Sequence, residues 1–184
     1  MEDLVVAVDD ADREIGSLPK LAAHQSGALH RAVSVFLFNR HGELLVQRRH
    51  GGKYHSGGMW SNSCCSHPRP GESVLDAATR RVREELGIDA QLRPIFRTSY
   101  CATVANGLIE NEIVHAFAGH TDFAPNPNPS EVEAVSWVSL DALIERVRAA
   151  PDDFTAWFHI FLATKIDVIR AASCRVFEDD TDVL

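Results

Sequence analysis

The chain has 184 residues, with 18 basic against 26 acidic side chains and a formal net charge of −8. That length matches one ordinary domain with a substantial buried core. The acidic balance excludes nonspecific nucleic-acid binding as a first reading. The longest apolar run, Val33 to Phe38, is far too short to span a bilayer, and the N-terminus lacks a basic signal region, so a cytoplasmic protein is expected. Its four cysteines, Cys64, Cys65, Cys101 and Cys174, form no disulfide framework and are expected as free thiols.

In chain order, residues 3–8 read as a first strand, followed by a turn from Asp9 to Gly16. Residues 32–39 and 43–49 read as two strands joined at Arg40-His41-Gly42, where glycine supplies the permissive backbone of a hairpin. The Gly-rich stretch from His50 to Gly58 reads as a mobile loop. After Pro68-Arg69-Pro70-Gly71 comes the clearest helix, with Ser73 as N-cap and Gly87 as its stop. Leu75, Ala78, Val82 and Leu86 recur at three- and four-residue spacing, which predicts one buried face. Strands are expected at 91–101, 109–118 and 134–138, with PNPNP at 125–129 as an exposed loop. Two helices, at about 139–149 and 154–172, close the chain before an aspartate-rich tail at 175–184. These elements describe one α/β (α+β) domain over 1–184, an α/β/α sandwich around a central mixed sheet.

Residues 66–88, SHPRPGESVLDAATRRVREELGI, carry the first chemical signal. Alone, they fit a surface helix laced with Arg/Glu pairs as well as they fit a metal site. They also resemble the Nudix box, a loop–helix–loop that sets glutamates beside a diphosphate, with Glu72, Glu84 and Glu85 at box positions. Ser66 stands where the box begins with glycine, and Arg81 where it has a glutamate, so the usual hydrolytic arrangement is altered. The further stretches AAHQSGALHRAVS (22–34), WSNSCCSHP (60–68) and GLIENE (107–112) complete a second resemblance. From about residue 4 to 170 the chain resembles the type 1 isopentenyl-diphosphate isomerases of the Nudix superfamily. Here the loop from His24 to His30 is one residue shorter than in that family.

The resemblance implies the Nudix-type sandwich and a reversible isomerisation of isopentenyl to dimethylallyl diphosphate. Residues 1–31 would be an N-terminal extension carrying two ligand histidines. Shifting a double bond along an unactivated alkene passes through a tertiary carbocation, so the site needs an acid, a base, a dry pocket and an electron-rich surface. By resemblance, Cys65 and Glu112 handle the protons from opposite sides, Tyr100 assists Glu112, and the ring of Trp157 faces the cation. His24, His30, His67, Glu110 and Glu112 would bind a divalent ion, Mn²⁺, Mg²⁺ or Zn²⁺. Glu85 would bind a second ion, Mg²⁺, bridging the diphosphate, and Lys20, Arg49, Lys53 and Arg81 would clamp that anion. Cys64 is expected as a small packed hydrophobe. No flavin, nucleic-acid or membrane partner is expected, and the chain should be a monomer or weak homodimer. Two competing readings are a Nudix diphosphate hydrolase and a metal-binding module without catalysis.

Overall fold

The computed structural model describes residues 3–175, the last of these as backbone only; the expected tail beyond Arg175 lies outside the described residues. The strands are β1 (Leu4–Val8), β2 (Glu14–Pro19), β3 (His30–Phe38), β4 (Leu44–Arg49), β5 (Trp60–Ser61), β6 (Cys64–Ser66), β7 (Leu92–Thr103), β8 (Ile109–His120) and β9 (Val132–Val138). The helices are α1 (Lys20–Ser26), α2 (Val74–Leu86), α3 (Leu140–Ala149) and α4 (Ala156–Arg175). Among the described residues no helix is long and apolar enough to cross a membrane.

The strands form one mixed sheet. β3 lies at its centre, parallel to β8 along nine residue pairs from His30–Glu112 to Phe38–His120. On its other edge β3 meets β1, β6 and β4 in turn, all antiparallel. A strand covered on both faces reads as a nearly continuous apolar run, which is what 32–38 shows. Ala32, Phe36 and Phe38 point to one face, where Phe158, Phe161 and Ile169 of α4 pack. Val33, Val35 and Leu37 point to the other, against Ala77, Ala78, Val82 and Leu86 of α2. Fully burying each such Leu, Val or Phe contributes roughly 2 kcal/mol.

α2 begins and ends as its sequence suggests. The Ser73 hydroxyl accepts the amide of Asp76, and Gly87 takes φ 65°. A Cβ at Gly87 would come 2.8 Å from the Asn126 carbonyl oxygen. That closeness has a cause: the PNPNP loop folds over the helix end, and the amides of Asn126 and Asn128 donate to the Leu86 and Glu85 carbonyls.

Three expectations need correction. Leu75 is 43% exposed, because the first turn of α2 directs Val74 inward instead. Residues 14–19, partly read as turn, form β2, whose pairing with β1 holds the outer edge of the sheet. The segment carrying His24 is a helix, α1, closed by Gly27 at φ 68°, and His30 already belongs to β3.

Candidate active site

The starts of β3 and β8 and the end of β4 open into a cavity of about 320 Å³. Glu110 and Glu112, two apart on β8, face the same way, as strand periodicity requires. His30 lies beside Glu112 in the parallel register. α1 supplies His24, and the segment after β6 supplies His67.

His24 and His30 are fully buried. Each has Nδ1 at a backbone carbonyl, of Lys20 at 2.7 Å and of Ala28 at 2.8 Å. Those bonds leave each Nε2 as the free lone pair, and neither Nε2 has a partner. His24 Nε2 is 3.5 Å from Glu110 Oε2, and His30 Nε2 is 3.5 Å from Glu112 Oε1. His67 Nε2 lies 2.8 Å from the same Glu112 oxygen. The ligand atoms of His24, His30, His67 and Glu112 fall within 4.8 Å of one another, and those of His24, His55 and Glu110 do so as well. Orphaned buried imidazole nitrogens turned toward carboxylates are the donor set of a divalent ion, so these residues fit one.

Tyr100 donates to Glu112 Oε2 at 2.7 Å. Burial alone would raise the Glu112 carboxyl, but His30 in its protonated form and the hydrogen bond from Tyr100 outweigh it and hold it below the ordinary value. Burial and then Glu112 push the Tyr100 phenol well up. Glu112 is therefore the ionised partner and Tyr100 keeps its proton.

Cys65 sits on β6, across β3 from β8. Strand alternation separates it from Cys64, which is fully buried in the core under α2. The Cys65 thiol donates to Asn62 Oδ1 at 3.1 Å and lies 3.3 Å from Ser34 Oγ. Burial pushes it up to about 11, against these polar neighbours. Trp157, at the start of α4, donates from Nε1 to Ser61 Oγ at 2.9 Å. Ser61 in turn donates to Asn62 Oδ1 at 3.2 Å, so one polar chain positions both the thiol and the indole.

The cations gather at the same cavity. Lys20, Arg49, Lys53 and Arg81 all line it, together with Arg69 and Arg80. The Arg49 guanidinium donates to the Ser56 and His55 carbonyls and lies 5.1 Å over the Trp157 ring. Among the described residues no carboxylate stands within ion-pair reach of it. Lys53 and Arg81 share the Glu131 carboxylate. Lys20 is paired with Asp3 at 3.4 Å, and burial lowers its ammonium. Glu85 is bonded to Arg81 and accepts from Gln47 at 2.9 Å, apart from the histidine cluster.

Sequence reasoning missed His55, which is 5% exposed with its Nε2 3.1 Å from Glu110 Oε1. It also missed Tyr54, Glu131 and the Ser34–Ser61–Asn62 network. The only hint was the pair Tyr54-His55 inside a Gly-rich stretch, where solvated residues were expected.

The NUDIX domain family model matches residues 28–158. The chain is 49% identical over 175 residues to isopentenyl-diphosphate Delta-isomerase 2 of Aromatoleum aromaticum, covering 95% of this chain and 89% of that protein. It is 48% identical to isopentenyl-diphosphate Delta-isomerase 1 of the same organism, covering 100% and 99%. The corresponding enzyme of Pectobacterium atrosepticum is 47% identical, covering 91% and 93%. In fold, the chain is similar to the crystal structure of DR0079 from Deinococcus radiodurans, with a TM-score of 0.71 at 22% identity, covering 92% of this chain and 99% of that one. The chain belongs to the isopentenyl-diphosphate Delta-isomerase family and carries its NUDIX domain.

Proposed function

We propose that this chain interconverts isopentenyl diphosphate and dimethylallyl diphosphate by proton transfer, with Glu112 and Tyr100 on one side of the substrate and Cys65 on the other. The observation that carries the reading is geometric: Glu112, which accepts from Tyr100, on β8 and the Cys65 thiol on β6 flank β3 and line one cavity. The contrast supports it: burial favours the protonated Cys65 thiol, while Glu112 is held below its ordinary value.

That resting state suits the allylic-to-terminal direction directly. The Cys65 thiol protonates the allylic alkene at C2, and Glu112 takes a proton from a methyl group of the resulting tertiary cation. The opposite direction starts from the exchanged state, with the proton on the Glu112/Tyr100 side and Cys65 as thiolate. Between turnovers in one direction, a proton returns through solvent. Trp157 offers its ring to the cation, and a desolvated cation–π contact contributes about 2 kcal/mol.

His24, His30, His67, Glu110 and Glu112 would hold a divalent ion, which when bound supplies positive charge that fixes the Glu112 carboxylate. Arg49, buried with no carboxylate partner among the described residues, is the strongest candidate for gripping the diphosphate. Lys20, Lys53 and Arg81 would join it, and Glu85 would hold Mg²⁺ at the diphosphate once Arg81 turns to the anion. The whole chain acts as one domain, placed in the cytoplasm.

The test is incubation with isopentenyl diphosphate and Mg²⁺ in D₂O, followed by NMR. Dimethylallyl product with deuterium in a methyl group is expected. Unchanged substrate from folded, metal-loaded protein, or release of phosphate, would overturn the reading in favour of binding alone or of hydrolysis.

A further inference from the structure

Four imidazoles cluster beside the cavity, and the proposed function gives the fourth, His55, no role. His24 is the hub: its ring centroid is 4.9 Å from that of His30, 5.6 Å from His67 and 5.3 Å from His55, on which it stacks. We propose that His55 is a further ligand of the divalent ion, joining His24 and Glu110. This inference rests on the reading of the histidine–glutamate cluster as a metal site.

Three observations support it. First, the donor spacing fits. Two ligand atoms each about 2.1 Å from one ion and at right angles stand about 3.0 Å apart. His55 Nε2 is 3.1 Å from Glu110 Oε1, alongside separations of 2.8 Å for His67–Glu112 and 3.5 Å for His24–Glu110. His24 belongs both to the triplet with His55 and Glu110 and to the group with His30, His67 and Glu112, so the two groups adjoin through one imidazole.

Second, the ring is set as those of His24 and His30 are. His55 Nδ1 lies 3.3 Å from Ser56 Oγ, as the Nδ1 atoms of His24 and His30 lie at carbonyls. Partnering Nδ1 leaves Nε2 for the ion.

Third, the turn carrying His55 is built to bury it. Ser56 takes a left-handed φ of 50°, which costs a non-glycine residue conformational energy. Gly57 is pressed so closely that a Cβ there would lie 2.5 Å from the Gly51 carbonyl oxygen. Arg49 binds the carbonyls of both His55 and Ser56 from below. A solvated loop residue would need none of this.

The experiment is proton NMR of the full chain loaded with high-spin Co²⁺, in which each coordinated imidazole gives one strongly shifted, exchangeable ring N–H signal. Four such signals are expected from the unaltered chain and three from His55→Gln, with Co²⁺ bound about tenfold or more weakly by the variant. Three signals from the unaltered chain would overturn the role of His55, leaving it a neighbour of Glu110, while the histidine cluster stood. Absence of any shifted imidazole signal would overturn both. Because the unaltered chain decides the count, the result does not depend on the variant's folding or on isomerase activity.

Discussion

Two clusters of charged residues in this molecule are candidates for metal chemistry, and they differ in how completely they are satisfied. On α2 and the turn before it every box carboxylate already has a cation: Glu72 is gripped by Arg80, Glu84 by Arg80 and Arg81, and Glu85 by Arg81. At the mouth of β3 and β8 the imidazoles of His24 and His30 point buried, unpartnered nitrogens at carboxylates. The first cluster is electrically closed without any ligand. The second is incomplete, since a buried polar atom left without a partner costs about 1–3 kcal/mol. The sequence resemblance pointed to both clusters, and the unsatisfied atoms make the histidines the one fitted to an ion as it stands. Arg81, standing where the box has a glutamate, closes Glu85, and Arg80 closes Glu72 and Glu84.

The comparison breaks most sharply at Cys65. If the cavity side carries the chemistry, Cys65→Ala should lower turnover about 10³-fold or more in the D₂O assay, with substrate still bound. Near-normal turnover would remove Cys65 from the mechanism. Metal content comes next. Glu110→Gln combined with His67→Ala should lose most of the bound ion by elemental analysis, whereas Glu72→Gln, in the closed cluster, should keep it. Equal retention in both would refute the assignment of the ion to the histidines.

A smaller effect separates cation stabilisation from packing at Trp157. Trp157→Phe should keep more activity than Trp157→Ala, by up to about 30-fold, equivalent to about 2 kcal/mol. Equal loss would reduce the indole to a core residue. The pH dependence of Cys65 sharpens the picture further. A thiol raised to about 11 by burial is mostly protonated at neutral pH. In a Cys101→Ser, Cys174→Ser background, its alkylation by iodoacetamide should therefore accelerate about tenfold per pH unit from 7 to 10. A plateau near pH 8.5 would indicate an ordinary thiol instead. The smallest effect is expected at the basic end, where Glu131 neutralises Lys53 and Arg81. Glu131→Gln should tighten inorganic pyrophosphate binding a few-fold by calorimetry, the scale of a partly exposed ion pair.

Much of this arrangement was legible in residue order. Alternation of β3 side chains between two cores, the Ser73 cap, the Gly87 stop and the separation of Cys65 from Cys64 follow from local periodicity and backbone chemistry, which act over a few residues. The pairing of Glu110 with Glu112 on one strand face follows from the same rule. Other features were decided only when distant segments met. Leu75 has the spacing of a core residue yet is exposed, because the angle at which α2 lies on the sheet selects Val74. Residues 14–19 carry little apolar patterning and become a strand through the edge of β1. Arg49 reaches Trp157, and lacks a carboxylate, through a register shift at the end of β4 and a turn that no periodicity describes. His55 stands 55 residues from Glu110 in sequence and 3.1 Å from it in space. Local sequence specifies which face a residue presents; which charges are left unsatisfied depends on the partners the fold brings to that face.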